Sequence, residues 1–171
     1  MWISSLSTQI YLILTATLSL VGDGDGWIEC DCGQKHWGKF GAAGIAIVVA
    51  RKILLQHRAP WVHNGDTWGI PGGARDSHET TFEAALREAH EEIGMDKHLV
   101  EEVDQFIDDH GLWKYETVIA KAHPDLVAHE QNDESLQVEW IDFDDVVKKN
   151  LHPSFEKTWP KLLAILKVRF V

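Results

Sequence analysis

Apolar positions in this chain follow two periods. Gly44–Ala50 (GIAIVVA) and Lys52–Arg58 (KILLQHR) are rich in Ile, Val and Leu and flank Arg51, which predicts two paired strands around a tight turn. A polar loop, APWVHNGDTWGIPGG, follows. In it Asn64-Gly65 signals a turn, Trp68–Ile70 a short strand, and Pro71-Gly72-Gly73 a backbone that must bend. From Thr80 to Ile93 the period becomes helical. At about 100° per residue, Phe82, Leu86, Ala89 and Ile93 form one stripe with Ala85 at its edge, so this face is expected to pack on the sheet. Tyr115–Ala120 and Leu136–Phe143 read as further strands. Phe143–Lys149 and Trp159–Phe170 read as closing helices, the second with Pro160 in its first turn. These elements imply an α/β fold, a mixed sheet between helices in an α/β/α layout.

The ends and the composition limit this picture. The chain has 171 residues, 44% hydrophobic and 25% charged, which suits one folded domain. Ile10–Val21 is apolar, but no Lys or Arg precedes Lys35, and the run is short for a membrane span. Residues 1–26 are therefore read as a non-core extension, against a competing reading as a signal or anchor, and residues 27–171 as the domain. Gly22–Gly26 (GDGDG) reads as a flexible boundary. The two cysteines, Cys30 and Cys32, form no disulfide framework, which points to a reducing, cytoplasmic compartment. With His36 they make C-x-C-x3-H. Zinc knuckles space the pair as C-x2-C and need a fourth ligand, so a turn with buried thiols is the other reading. A net charge of −11 disfavours nucleic acid as a partner, and no membrane partner is expected. If the ligand is nevertheless anionic, divalent cations must reconcile it with an acidic protein.

Glu88, Glu91 and Glu92 crowd about one turn at the end of the predicted helix, on stripes beside the apolar face. Like charges at these spacings cost about 0.2–0.5 kcal/mol per pair, and acids near a helix C-terminus also oppose its dipole. Such a cluster needs strong solvation or a cation. The surrounding spacing is G-x5-E-x7-R-E-x2-E-E-x-G, occupied by Gly73, Glu79, Arg87, Glu88, Glu91, Glu92 and Gly94. This resembles the Nudix box. The chain is similar to Nudix hydrolases, metal-dependent enzymes that cleave nucleoside diphosphates linked to another moiety. The box likeness covers Gly73–Met95, and the strand pattern from Gly41 to Phe170 fits the family's sandwich with its catalytic loop–helix–loop.

The resemblance implies roles residue by residue. Glu88, Glu91 and Glu92, with the main-chain carbonyl of Gly72, would hold Mg2+, with Mn2+ as a substitute. Arg87 would orient the carboxylates. Glu79, three positions after Asp76, fits a capping box at the helix start. The base that accepts water's proton is assigned to Glu134, with Glu130, Asp133 and Glu139 as rivals and Glu91 as an alternative. Arg58 is the candidate phosphate ligand. Trp61 and Trp68 read as core ahead of base-stacking, and His57, His63, His78 and His110 read as surface or loop histidines. Family members that cleave ADP-ribose often carry a proline where this chain has His110-Gly111, which lowers that substrate. Tyr115 lies near but out of register with the tyrosine of dinucleoside polyphosphate members. The compact chain looks more like the mutator-type branch that hydrolyses nucleoside triphosphates, oxidised purine forms included. Dinucleoside polyphosphates, nucleotide sugars and a non-catalytic nucleotide-sensing role remain open alternatives.

Overall fold

A computed structural model describes residues 22–171; the apolar run Ile10–Val21 lies outside the described residues. Two short strands, β1 (Trp27–Glu29) and β2 (Lys35–Trp37), form a separate antiparallel hairpin. A seven-stranded mixed sheet follows. Its centre is β3 (Ala42–Val49), which pairs in parallel with β8 (Lys114–Ala122) from Ala42↔Tyr115 to Val48↔Lys121. The other side of β3 is shared: β6 (Gly72–Ala74) pairs with its first half, and β4 (Lys52–Arg58) turns back from its end. β4 pairs with β9 (Ser135–Asp142) and with β5 (Trp68–Gly69), and β7 (Val100–Asp109) closes the far edge against β8.

Side chains alternate across a strand, and here both faces are covered. Ala43, Ile45 and Ile47 of β3 point with Val118 and Ala120 toward the first helix, α1 (Thr81–Ile93). Ala46 and Val48 point with Ile53, Leu55 and Ile119 toward the second, α2 (Pro153–Phe170). That is why β3 reads as an unbroken apolar run. The expected α/β/α sandwich is what forms.

Several boundaries differ from the sequence reading. The capping box sits at Thr80 and Glu83, four residues beyond Asp76 and Glu79: the Thr80 hydroxyl accepts from the Glu83 amide, and the Glu83 carboxylate accepts from the Thr80 amide. Glu79 Oε2 still accepts from the Asp76 amide at 3.0 Å, but Arg87 binds both oxygens of the same carboxylate and the helix starts only after Thr80. Phe143–Lys149 yields only one 3-10 turn, Val146–Lys148. The closing helix starts at Pro153, so Pro160 lies inside it and the N1 proline is Pro153. Gly72-Gly73 runs straight into the short strand β6 rather than only bending. β1, β2 and β7 were not anticipated; β7 is half-exposed along its length, so its acidic residues hide the alternation. Trp61 is 69% exposed, not core, whereas Trp68 is buried and stacks on His57 at 4.9 Å.

Candidate active site

The helix α1 carries its acids toward the β3–β6 edge. Its last turn ends on Gly94, whose φ of 60° is the left-handed conformation that glycine adopts most readily. The buried stripe is Ala84, Ala85, Ala89, Glu92 and Ile93, with Phe82 and Leu86 only partly covered. Glu92 therefore belongs to the buried face rather than beside it, at 4% exposure. Small residues make the approach close. A Cβ at Gly73 would stand 2.7 Å from the Glu88 carboxylate, so any other residue there would push that carboxylate out of its present position.

Each carboxylate is held through one oxygen. Glu92 Oε2 accepts from Gln56 Nε2 at 2.9 Å and from the Gly72 amide at 3.0 Å, and Gln56 Oε1 in turn accepts from Ser135 Oγ. Glu88 Oε1 accepts from Arg87 Nη1 at 2.8 Å, and Glu91 Oε2 from the same nitrogen at 3.4 Å. Among the described residues, the second oxygen of all three accepts no hydrogen bond. Arg87 is fixed chiefly by Glu79, with Nε–Oε1 at 2.7 Å and Nη2–Oε2 at 2.9 Å, and also donates to the Ala74 carbonyl. One guanidinium thus ties the loop, Glu79 and two of the helix acids into a frame.

Burial dominates the electrostatics. It lifts the Glu92 carboxyl to about 8, aided by the charge on Glu88 and opposed by the donors from Gly72 and Gln56. It lifts Glu88 to about 7, against the pull of Arg87 and with added repulsion from Glu91 and Asp25. The hydrogen bond to Glu79 raises Arg87 well above its ordinary value, so it stays charged. A buried and a half-buried acid that resist ionising, each with an unengaged oxygen, form a hard-donor wall that a divalent cation would satisfy. The wall is open: the three acids are not drawn within 4.8 Å of one another, unlike the sets Cys30–Cys32–His36 and Asp23–Asp76–His78. A Mg2+ ion tolerates that, because it keeps several waters and binds through one or two carboxylates plus substrate phosphates.

These residues share one cleft of about 360 Å3. It is lined by Gly72, Arg87, Glu88, Glu91 and Glu92 together with Arg58 and Glu134; the rival bases Glu130, Asp133 and Glu139 are not among its lining residues. Arg58 sits at a register shift between β4 and β9, and its Nε is buried without a hydrogen-bond partner. The ladder is thus irregular at the point where Arg58 lines the cleft. Glu134 precedes β9 and is anchored by its backbone, whose carbonyl accepts from the Ala59 amide. Gly72 donates its amide to Glu92.

Other cleft residues escaped the sequence reading. Gln56 is a buried polar residue inside the apolar run KILLQHR, and that misplaced polarity was the available signal. Trp37, 42% exposed, forms a wall from the β1–β2 hairpin, with Trp27 packed edge-on at 5.4 Å. Asp25 and Asp76 also line the cleft. The Gly22–Gly26 segment, expected as a flexible boundary, is bonded across the helix entry: the Gly24 amide donates to Asp76 Oδ1 at 2.8 Å, and the Ser77 amide donates to Asp23 Oδ1.

The family model for the NUDIX domain matches residues 39–162. A crystal structure of a Nudix hydrolase from M. smegmatis, RenU, is 39% identical, with a TM-score of 0.78 over 85% of this chain and 96% of that one. A Mycobacterium tuberculosis protein named "Putative 8-oxo-dGTP diphosphatase 3" is 43% identical over 82% of this chain and 70% of its own length. A Bifidobacterium longum protein, "Nucleoside triphosphate pyrophosphatase/Nudix hydrolase fusion protein", is 41% identical over 84% of this chain. The chain spans only 32% of that longer relative. With the box residues on one helix–loop frame and the family model covering most of the chain, this protein belongs to the Nudix hydrolase family.

Proposed function

We propose that the chain is a Mg2+-dependent pyrophosphohydrolase acting on nucleoside triphosphates, oxidised purine nucleotides such as 8-oxo-dGTP included. The observation that carries this reading is the convergence of the helix acids, Glu134 and Arg58 on one cleft. Support for the substrate class comes from the mycobacterial relative's name and from the 8-oxo-dGTP diphosphatase of Proteus vulgaris, 38% identical over 32% of this chain.

Glu88, Glu91 and Glu92 would hold the cation, with the Gly72 carbonyl as a further donor and Mn2+ as a substitute for Mg2+. When bound, the ion neutralises pyrophosphate oxygens and makes water at the site easier to ionise. The chain's own groups do the rest. Arg58 reaches a phosphate with a guanidinium whose Nε is otherwise unpaired. Arg87 holds Glu88 and Glu91 in place through Glu79 and does not react. Glu134 accepts the proton of the attacking water as its oxygen bonds to phosphorus and the anhydride P–O bond breaks.

The test is a panel of 8-oxo-dGTP, dGTP, a dinucleoside tetraphosphate and ADP-ribose with Mg2+, read as product release for the wild type and for Glu134→Gln. Fastest turnover of an oxidised purine triphosphate, and its loss in the variant, is the expected result. Preference for a dinucleoside polyphosphate would overturn the substrate, and full activity of the variant would overturn the base.

A further inference from the structure

The β1–β2 hairpin precedes residue 39, where the family match begins, and it carries a cluster that the cleft does not use. Cys30 Sγ, Cys32 Sγ and a His36 ring nitrogen all lie within 4.8 Å of one another. The turn between the strands brings them together. The Cys30 amide donates to the Gln34 carbonyl at 3.0 Å, and the Gly33 amide donates back to the Cys30 carbonyl at 2.9 Å. Gly33, at φ 83°, makes the reversal that lets residues 30 and 32 face the same side as His36. Cys32 Sγ stands 3.2 Å from His36 Nε2. Sulfur at about 2.3 Å and nitrogen at about 2.1 Å from a shared tetrahedral centre stand roughly 3.6 Å apart, so the observed spacing suits a metal after a small adjustment.

The surroundings enclose the site on one side: Cys30 is buried and His36 half-buried, while Cys32 is exposed. Cys30 is 7% exposed, and its thiol donates to the backbone carbonyl of His110. The His36 ring lies flat on Trp113, 4.1 Å away at 6°, which fixes its plane. The ring of His110, from the β7–β8 connection, is 4.6 Å from that of His36. His110 Nε2 faces the Asp108 carboxylate at 3.5 Å; His110 lies outside the set of Cys30, Cys32 and His36, so its ring has to turn to bring Nδ1 to a shared metal. A carboxylate behind a histidine in this way is a common outer support of zinc ligands.

We propose that this hairpin holds a structural zinc ion on Cys30, Cys32 and His36, with His110 completing a Cys2His2 set. Thiolate and imidazole donors in a tetrahedral set select zinc, whereas the hard carboxylates of the cleft suit Mg2+ or Mn2+. Both cysteines bind as thiolates. Their two protons, one of them now shared with the His110 carbonyl, leave to solvent. The ion pins an otherwise marginal two-stranded hairpin to the β7–β8 end of the sheet. Trp37 follows His36 in β2, so the same clamp holds the aromatic wall of the cleft in place.

The experiment uses the full chain, reduced, freed of metal and then given equimolar Zn2+ or Co2+. The expected results are about one zinc retained per chain through desalting, thiols unreactive until a chelator is added, and a cobalt form with a near-ultraviolet thiolate-to-cobalt band. Cys32→Ser and Cys30→Ser should lose that band and the retained zinc. His110→Ala should bind zinc more weakly, and Glu92→Gln should keep both zinc and band. The proposal is overturned if the wild type retains no zinc and its thiols react equally with and without it. It is equally overturned if bound cobalt shows no thiolate band, or if Glu92→Gln abolishes binding while Cys32→Ser does not.

Discussion

The two helices cover opposite faces of one sheet and use their buried positions differently. α2 buries Phe155, Trp159, Leu162 and Leu166 against Ile53, Leu55, Ile119 and Ile141. α1 buries three alanines, an isoleucine and a carboxylate. Large apolar side chains on α2 remove area from water, and that stabilises the fold. Alanines on α1 bring its axis close to β3 and β6, so that the Gly72 amide and Gln56 reach Glu92. That closeness forces acids into a low-dielectric wall at a cost in stability. Both faces carry an apolar core, but only the α1 face also buries acids that a cation would relieve.

Substitutions on each face test this division. The largest effect is expected for Glu92→Gln, which keeps the shape and removes a charge. Losing several kcal/mol of transition-state stabilisation should lower kcat/KM with Mg2+ by about a thousandfold. The metal-free fold should survive, as a thermal melt would show; activity within tenfold of wild type would remove Glu92 from the metal set. Next comes Leu162→Ala on the other helix. It should cost about 2–5 kcal/mol in a denaturant titration, while kcat/KM stays unchanged well below the melting point. A loss of activity without a loss of stability would erase the contrast between faces.

Arg87→Lys should cost about 10–100-fold in kcat, because an ammonium cannot span both oxygens of Glu79 and still reach Glu88. If Glu79→Gln gave no comparable loss, the frame built on that pair would be wrong.

The smallest effect is one of pH on the metal-free protein. Burial raises Glu92 from the ordinary 4.5 to about 8, so the folded state binds this proton more tightly than the unfolded state does. Its contribution is complete below pH 4.5 and is lost as the pH rises through about 8. Wild type should therefore lose melting temperature relative to Glu92→Gln as the pH rises across that window, by about 2–4 °C for each kcal/mol of the ionisation penalty. Mg2+ added at the alkaline end should restore part of it. A difference that is flat with pH would mean the carboxylate is ionised without penalty.

Much of this was legible in the chain because it depended on local spacing. The helix Thr81–Ile93 and its acids follow from period and box, and β3 and β4 follow from β-branched runs around a two-residue turn. The errors share a cause. Asp76 and Glu79 have the spacing of a capping box and keep half of it, the Asp76 amide donating to Glu79 Oε2, but Arg87, eight residues on, binds the same carboxylate and Thr80 caps the helix. Phe143–Lys149 has a helix-like pattern, yet it stops after Val146–Lys148. Trp61 and Trp68 look alike in sequence; one is exposed and the other packs beneath α2.

By itself the sequence determined the element types, the sandwich and the helix that carries the acids, because hydrophobic period and a run of fixed spacings are properties of neighbouring residues. The tertiary structure decided which of those acids is buried, that Gln56 and the Gly72 amide hold it, and that Arg58 and Glu134, far apart in the chain, face the same cleft. It also brought the Gly22–Gly26 segment and Trp37 to that cleft and set Cys30, Cys32 and His36 beside His110. Such facts depend on how the strands pair and how closely the helix approaches them, and burial and proximity between distant segments have no signature in local spacing.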